Sequence, residues 1–397
     1  MIDFSLTDEQ VAIQNTAREF GQKEIKPIAA ELDRIPDPKE VFPRAREVIE
    51  KGVKLGFPYM IIPKEYGGLG ADHRTIGVVF EELGAADAGL AGTLGISNFA
   101  FLTLLLGGTD AQQKKWFETA LSDKDGLFLA SWAATEPQGL GMDTDALWEG
   151  QTRFNLKTSA VPDGDIYRIN GEKCFITAGG ISRICIVLAQ TPKGPSHFVI
   201  PTDTPGFEVT KTEDMMGHRT MNDVELFFDN VKVPRENLIS GEEGKGAFEL
   251  MGILGYSDAW VGALAVGLAR AAYEAAREYS KLRVLAEKPI IRFQAVGMMI
   301  ADMAMQIEAA RALVWRALWS NDTMPVPDTK LSALAKVFAS DAAMRVTTDA
   351  VQVYGGAGYM KENPVEKYMR DAKVTQIYEG TNELLRILAS TMIYLGM

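Results

Sequence analysis

Between residues 293 and 317 apolar side chains recur at spacings of 3, 4, 3, 4, 3, 4 and 3: Phe293, Val296, Ile300, Met303, Ile307, Ala310, Val314 and Ala317. That alternation puts all eight on one stripe of a long helix, at the spacing of a coiled-coil seam. A helix with such a stripe has to bury it against other helices, so the expected host is a helical bundle, extended or not across a subunit interface. The linker NDTMPVPD, Asn321 to Asp328, then breaks the helix with two prolines before LSALAKVFASDAAMRV begins the next.

The chain of 397 residues is too long for one core and carries three textures. Residues 1–125 read as helical: Thr7 and Gln10 fit a capping box ahead of VAIQNTAREFGQKEI, and PKEYGGLGA, Pro63 to Ala71, is a glycine-rich turn before a helical run from Thr75. Residues 126–240 read as a β domain. LFLASWA, ICIVLAQ, HFVIP, GFEVT and the alternating DVELFFDNVKVP are short β-branched or aromatic runs, with turns expected at Pro162-Asp163-Gly164, Asn170-Gly171 and Pro205-Gly206. Residues 241–397 return to helix. The expected fold class is α+β: an N-terminal helical domain, a middle β domain and a C-terminal domain resembling a four-helix bundle.

Lysine and arginine number 41 against 53 acids, a net charge of −12 without a basic run, which argues against a nucleic-acid surface. Cys174 and Cys185, with His73, His197 and His218, show no metal-ligand or disulfide spacing, so no metal is expected and a reducing compartment is. MIDFSLTDEQ carries acids where a secretory leader carries basic residues, and FAFLTLLLGG soon gives way to TDAQQKKW, so no membrane span is expected and the location is read as cytoplasmic.

Several stretches have the residue types that chemistry needs. GEEGKG, Gly241 to Gly246, lacks the Lys-Ser/Thr ending of a phosphate loop and reads as an entry to the next helix. ATEPQGLGMD, Ala134 to Asp143, follows a strand and offers the Thr135 hydroxyl beside glycines at 139 and 141. KCFITAGG, Lys173 to Gly180, places Phe175 and Thr177 two apart on one side of an extended chain, an apolar face beside a hydroxyl such as a flavin ring requires. VQVYGGAGY, Val351 to Tyr359, closes a helix on two glycines. In TQIYEGTNELLR, Thr375 to Arg386, Glu379 stands at the mouth of a helix. Alone it fits either an acid favoured by the helix dipole or a general base.

Taken together, TEP with its glycine-bearing loop, NGEKCFITAGG, MGHRT at Met216 to Thr220, and QVYGGAGYMKENPVEKYMRD running into VTQIYEGTNELLR resemble the acyl-CoA dehydrogenase family of flavoproteins over essentially the whole chain. The resemblance implies FAD-dependent α,β-dehydrogenation of an acyl-CoA thioester to the 2-enoyl-CoA. Glu379 falls on the family's base, with a proton affinity expected to be raised by apolar neighbours. The resemblance further implies that Trp132, Ala134 and Thr135 line the flavin, that Phe175 and Thr177 flank its ring, and that Thr381 contacts it. Arg283, Gln294, Gln352 and Gly356 would reach the FAD of a neighbouring subunit, in a homotetramer built as a dimer of dimers. Gly141, Met142, Tyr378 and Gly380 would meet the substrate, and an electron-transfer flavoprotein would take the electrons.

The chain also departs from the family pattern. Met142 stands where a serine is expected, and the loop through Asp163 is longer than usual. Asp258 replaces a common arginine, read as the loss of a contact to the CoA nucleotide. Leu285 and Ala286 replace a Thr and a Phe near the cofactor. AGTLGISNFAF, Ala91 to Phe101, lacks the arginine that meets dicarboxylic acyl groups, which points to an uncharged acyl chain unless Arg153 substitutes for it. The same scaffold would also serve an enoyl-CoA reductase, a dehydrogenase of a branched, cyclic or aromatic acyl-CoA, or a non-catalytic flavin-binding relative.

Overall fold

The computed structural model describes residues 4–123, 126–139 and 154–396. Gly141, Met142, Asp143 and Arg153 lie outside the described residues.

Helices come first. The Thr7–Gln10 capping box is formed and opens α1 (Asp8–Phe20), which runs through a π-helical turn, Gly21–Ile25, into α2 (Lys26–Asp33). Four more follow: α3 (Val41–Lys54), α4 (His73–Ala86), α5 (Ala88–Gly107) and α6 (Asp110–Leu121). The Asp87 carboxylate caps α5 by accepting from Leu90 N at 2.8 Å.

Strands β1 (Ala130–Ala133), β2 (Ser159–Asp163), β3 (Ile166–Thr177), β4 (Ile184–Thr191), β5 (Gly194–Pro201), β6 (Phe207–Thr212) and β7 (Asp223–Pro234) form one sheet. Its order is β1-β4-β2-β3-β7-β6, with β5 also paired to β4. β1 and β4 are parallel, whereas β2–β3, β3–β7, β4–β5 and β6–β7 are antiparallel. Gly164 and Gly206 occupy turns at positive φ, as their sequences suggest. Asn170-Gly171 does not turn the chain: it lies inside β3 at a register shift against β7. Gly171 has φ 141 there, a conformation side chains rarely adopt, and a Cβ would stand 2.6 Å from the Thr158 Cα, so backbone conformation and close approach together explain the glycine.

The C-terminal helices are α7 (Gly246–Leu282), α8 (Gln294–Thr323), α9 (Thr329–Tyr354), α10 (Val365–Thr375) and α11 (Asn382–Leu395). α7 is central and packs against α9, α4, α8 and α5. The seam of α8 is buried from Ile300 to Ala317, while Phe293, just ahead of the helix, and Val296 are half-buried.

The expectation that no apolar stretch reaches membrane-spanning length needs correction, because both α5 and α7 are long and apolar enough. Their most apolar windows are 78% and 83% buried inside the protein, which makes them core helices.

Candidate active site

Between α10 and α11 the chain turns through Gln376 to Thr381 and carries Glu379 in the left-handed region, at φ 54, followed by Gly380 at φ 87. A glutamate tolerates that conformation only when its surroundings hold it there. Here they do. Lys336 of α9 donates from Nζ to the Gly380 carbonyl at 2.7 Å and to Asn382 Oδ1 at 3.1 Å. Asn382 is tied in turn to Ser340 and Asp341. Thr381 caps α11, its hydroxyl accepting from Leu384 N at 3.2 Å.

Ser257 of α7 donates to Glu379 Oε1 at 2.6 Å. Glu379 is half-buried. Loss of hydration raises its carboxyl above the ordinary range, against the Ser257 hydrogen bond and the Lys336 ammonium, which both favour the ion. Burial pulls Lys336 down to about 8, against the neighbouring carboxylates that hold its proton. The Glu379 N–H donates to no protein group among the described residues.

Asp258 is the next residue of α7. It is fully buried, and neither carboxylate oxygen finds a hydrogen-bond partner among the described residues. Burial raises its carboxyl well above the ordinary value; Lys336 opposes this and Glu379 adds to it. Position 258 therefore sits in the core beside the candidate base, not at a surface that a CoA nucleotide could reach. The sequence offered no signal for Ser257 or Lys336, since a serine and a lysine on long helices are unremarkable until tertiary packing aims them at one loop.

A second group gathers at the β1 end of the sheet. Trp132 pairs with Ile186 across β1 and β4, and Ala134 is buried just beyond. The Thr135 carbonyl accepts from Cys174 N at 3.1 Å, which joins the TEP segment to β3. Lys173, fully buried, donates to the Ala134 carbonyl at 2.8 Å and to Glu136 Oε1 at 3.0 Å; Glu136 also accepts from the N–H groups of Lys157 and Thr158. Burial lowers Lys173 to about 8, with Glu136 holding its proton.

Phe175 sits at a register shift of β3 with φ 59, the residue 64% exposed. Thr177, two residues on, is half-buried. An exposed aromatic residue at Phe175, with Thr135 joined to the adjacent Cys174, Thr177 two residues on, and a buried Trp132 Nε1 that finds no partner among the described residues, fits a planar cofactor that brings its own hydrogen-bonding edge. Tyr378 packs edge-on to His218, ring centroids 5.7 Å apart, and its buried hydroxyl also lacks a partner among the described residues.

Arg283, Gln294, Gln352 and Gly356 lie apart from this burial pattern, all exposed at or near helix ends.

Known proteins match along the whole chain. Residues 7–124, 131–231 and 244–393 match the models of the acyl-CoA dehydrogenase N-terminal, middle and C-terminal domains. A cyclohex-1-ene-1-carbonyl-CoA dehydrogenase of Syntrophus aciditrophicus is 41% identical over 389 residues, 96% of this chain and 89% of that protein. The solved butyryl-CoA dehydrogenase of Megasphaera elsdenii superimposes with a TM-score of 0.88 at 40% identity, covering 99% of this chain and 100% of that one. A chain solved with the electron transferring flavoprotein of Acidaminococcus fermentans as its subject gives 0.89 at 39% identity, covering 99% of both chains.

Proposed function

The chain belongs to the acyl-CoA dehydrogenase family and is an FAD-dependent dehydrogenase of acyl-CoA thioesters, and from that premise we propose that Glu379 is the base that removes the α-proton. The observation that carries this reading is the Ser257–Glu379 contact, made in a half-buried loop where Glu379 is held at positive φ.

A thioester carbonyl acidifies its α C–H, so the site needs a carboxylate at the α-carbon and a donor for the oxygen on which charge develops. Glu379 supplies the first through its side chain, whose loss of hydration strengthens it as a base, and the second through its unpaired N–H. Ser257 and the Lys336–Gly380 contact fix the geometry of both. FAD bound at this site would supply the acceptor for the β-hydrogen as hydride. Trp132, Ala134, Thr135, Phe175, Thr177 and Thr381 hold the cofactor in this reading, and Tyr378 and Gly380 bound the thioester. Electrons pass to an electron-transfer flavoprotein.

Arg283, Gln294, Gln352 and Gly356 reach the FAD of a second copy in a homotetramer, a reading supported by their exposure and by exposed apolar residues nearby, such as Leu282, Val284 and Leu285. A soluble, cytoplasmic enzyme is part of the same proposal, its solubility supported by the burial of α5 and α7 within the core.

The acyl group is uncharged and compact. α5 carries no charged residue. Trp260, one helical turn beyond Ser257 and on the same face of α7, packs on Phe99 at 5.4 Å and Phe80 at 6.3 Å, and in this reading the aromatic cluster limits the length of acyl chain beside Glu379. Short and cyclic acyl groups, of the kind named for the Megasphaera and Syntrophus enzymes, meet that description.

The test is anaerobic mixing of the holoenzyme with short, medium, branched, cyclic and aromatic acyl-CoAs while flavin absorbance is recorded. Bleaching by a neutral compact thioester is expected. A bound flavin that no thioester reduces would favour the reductase or non-catalytic alternatives, and preference for a glutaryl or succinyl thioester would overturn the uncharged acyl group.

A further inference from the structure

Asp223 stands directly across the sheet from Thr177: the two are Cα partners where β7 runs antiparallel to β3, and Thr177 Oγ1 lies 3.1 Å from Asp223 Oδ1. Asp223 is buried, 4% exposed. Met221 Sδ is the other acceptor near the hydroxyl among the described residues, at 3.7 Å. Among the described residues, Glu213 and the Cys174 thiol are the titratable groups that interact with it, and Glu225 follows two residues along β7. Glu213 and Glu225 are both paired with Lys211, at 2.7 and 3.2 Å, and burial pushes the Cys174 thiol up to about 11. Burial pushes Asp223 up to about 7; Glu213 acts in the same direction, and the Thr177 hydrogen bond opposes both. The proposed mechanism leaves this carboxyl without a task.

A threonine hydroxyl has one hydrogen to give. If Asp223 is ionised it can only accept, and it takes that hydrogen. If Asp223 is protonated it can donate to Thr177 Oγ1, and the hydroxyl hydrogen is free to turn elsewhere. We propose that Asp223 is a positioning residue for the flavin, its protonation state deciding whether Thr177 presents the ring with a hydrogen-bond donor or with a lone pair. The switch exchanges one proton with solvent and moves no electrons. It rests on the placement of Thr177 beside the ring, and it adds a group that makes the cofactor's surroundings sensitive to pH near neutrality.

The experiment is a visible-absorbance titration of the oxidised holoenzyme across neutral pH. Oxidised flavin has no ionisation of its own there, so a transition belongs to the protein. The expected result is a one-proton spectral change with a midpoint near the Asp223 value of about 7, absent from Asp223→Asn and from Thr177→Val. Should Asp223→Asn fail to hold FAD, Asp223→Thr, which keeps a polar group but cannot ionise, gives the same readout. A flat wild-type titration, or an unchanged transition in the Asp223 variants, overturns the inference while leaving Thr177 at the ring. A Thr177→Val spectrum indistinguishable from wild type at every pH overturns the placement of Thr177 itself.

Discussion

Ser257 Oγ donates to Glu379 Oε1 at 2.6 Å, and through that bond the central helix of the C-terminal bundle fixes the orientation of a carboxylate on a loop 122 residues away in sequence. The hydrogen bond favours the ionised carboxylate, so its loss raises the proton affinity of Glu379 further. In Ser257→Ala the acid limb of the kcat/KM profile moves to higher pH. A hydrogen bond to a charged group contributes about 1.5–3 kcal/mol, so kcat/KM on that limb falls by roughly ten- to a hundredfold. A pH–rate profile that superimposes on wild type would remove Ser257 from the mechanism.

Glu379→Gln keeps the shape of the side chain and removes the base. The variant retains bound FAD and its visible spectrum, while turnover falls by about 10²–10⁴-fold, the range over which a positioned base acts. Steady-state kinetics beside the absorbance spectrum check both halves, and unchanged turnover would assign the proton transfer to another residue.

Lys173 and Glu136 form a buried ion pair that also ties the Ala134 carbonyl to β3. In Lys173→Met the Glu136 carboxylate stays buried without its cation, which costs about 3–5 kcal/mol. Chemical denaturation measures that loss. FAD affinity falls with it, because the segment carrying Ala134 and Thr135 loses its anchor.

Asp258 introduces a pH dependence of stability with a definite sign. Its carboxyl is raised in the folded protein, so above the ordinary value of 3.8 the native state holds a proton that the unfolded chain has released. Stability from this group is complete below that value and is lost as pH rises toward the folded one. Asp258→Asn removes the slope and is more stable than wild type at the alkaline end. Thermal unfolding across acid to alkaline buffers shows it; parallel curves for the two proteins would place the Asp258 proton elsewhere.

Much of the architecture is legible in local sequence, because the features that encode it are local. The Thr7–Gln10 box, the 3–4 seam of α8 and the proline break before α9 act within one or two helical turns, and each is found where its pattern lies. Asn170-Gly171 misleads for the complementary reason: glycine serves a turn, but it equally serves a strand whose backbone passes close to Thr158, and only the folded sheet shows which applies. The length of α5 is missed because glycines and threonines interrupt its apolar run without interrupting the helix.

By itself the sequence determined the succession of helices, strands and helices, the family, and the candidate position of one carboxylate, since periodicity and contiguous motifs survive in one dimension. Tertiary structure alone decided what surrounds that carboxylate. Ser257, Asp258 and Lys336 come from two helices and reach the Glu379 loop only when α7 packs against α9, and Asp223 meets Thr177 only through the register of β7 on β3. Hydrogen bonds and the loss of hydration act across a few ångströms of space, and the proton affinities on which this chemistry depends are set by neighbours that the order of residues does not reveal.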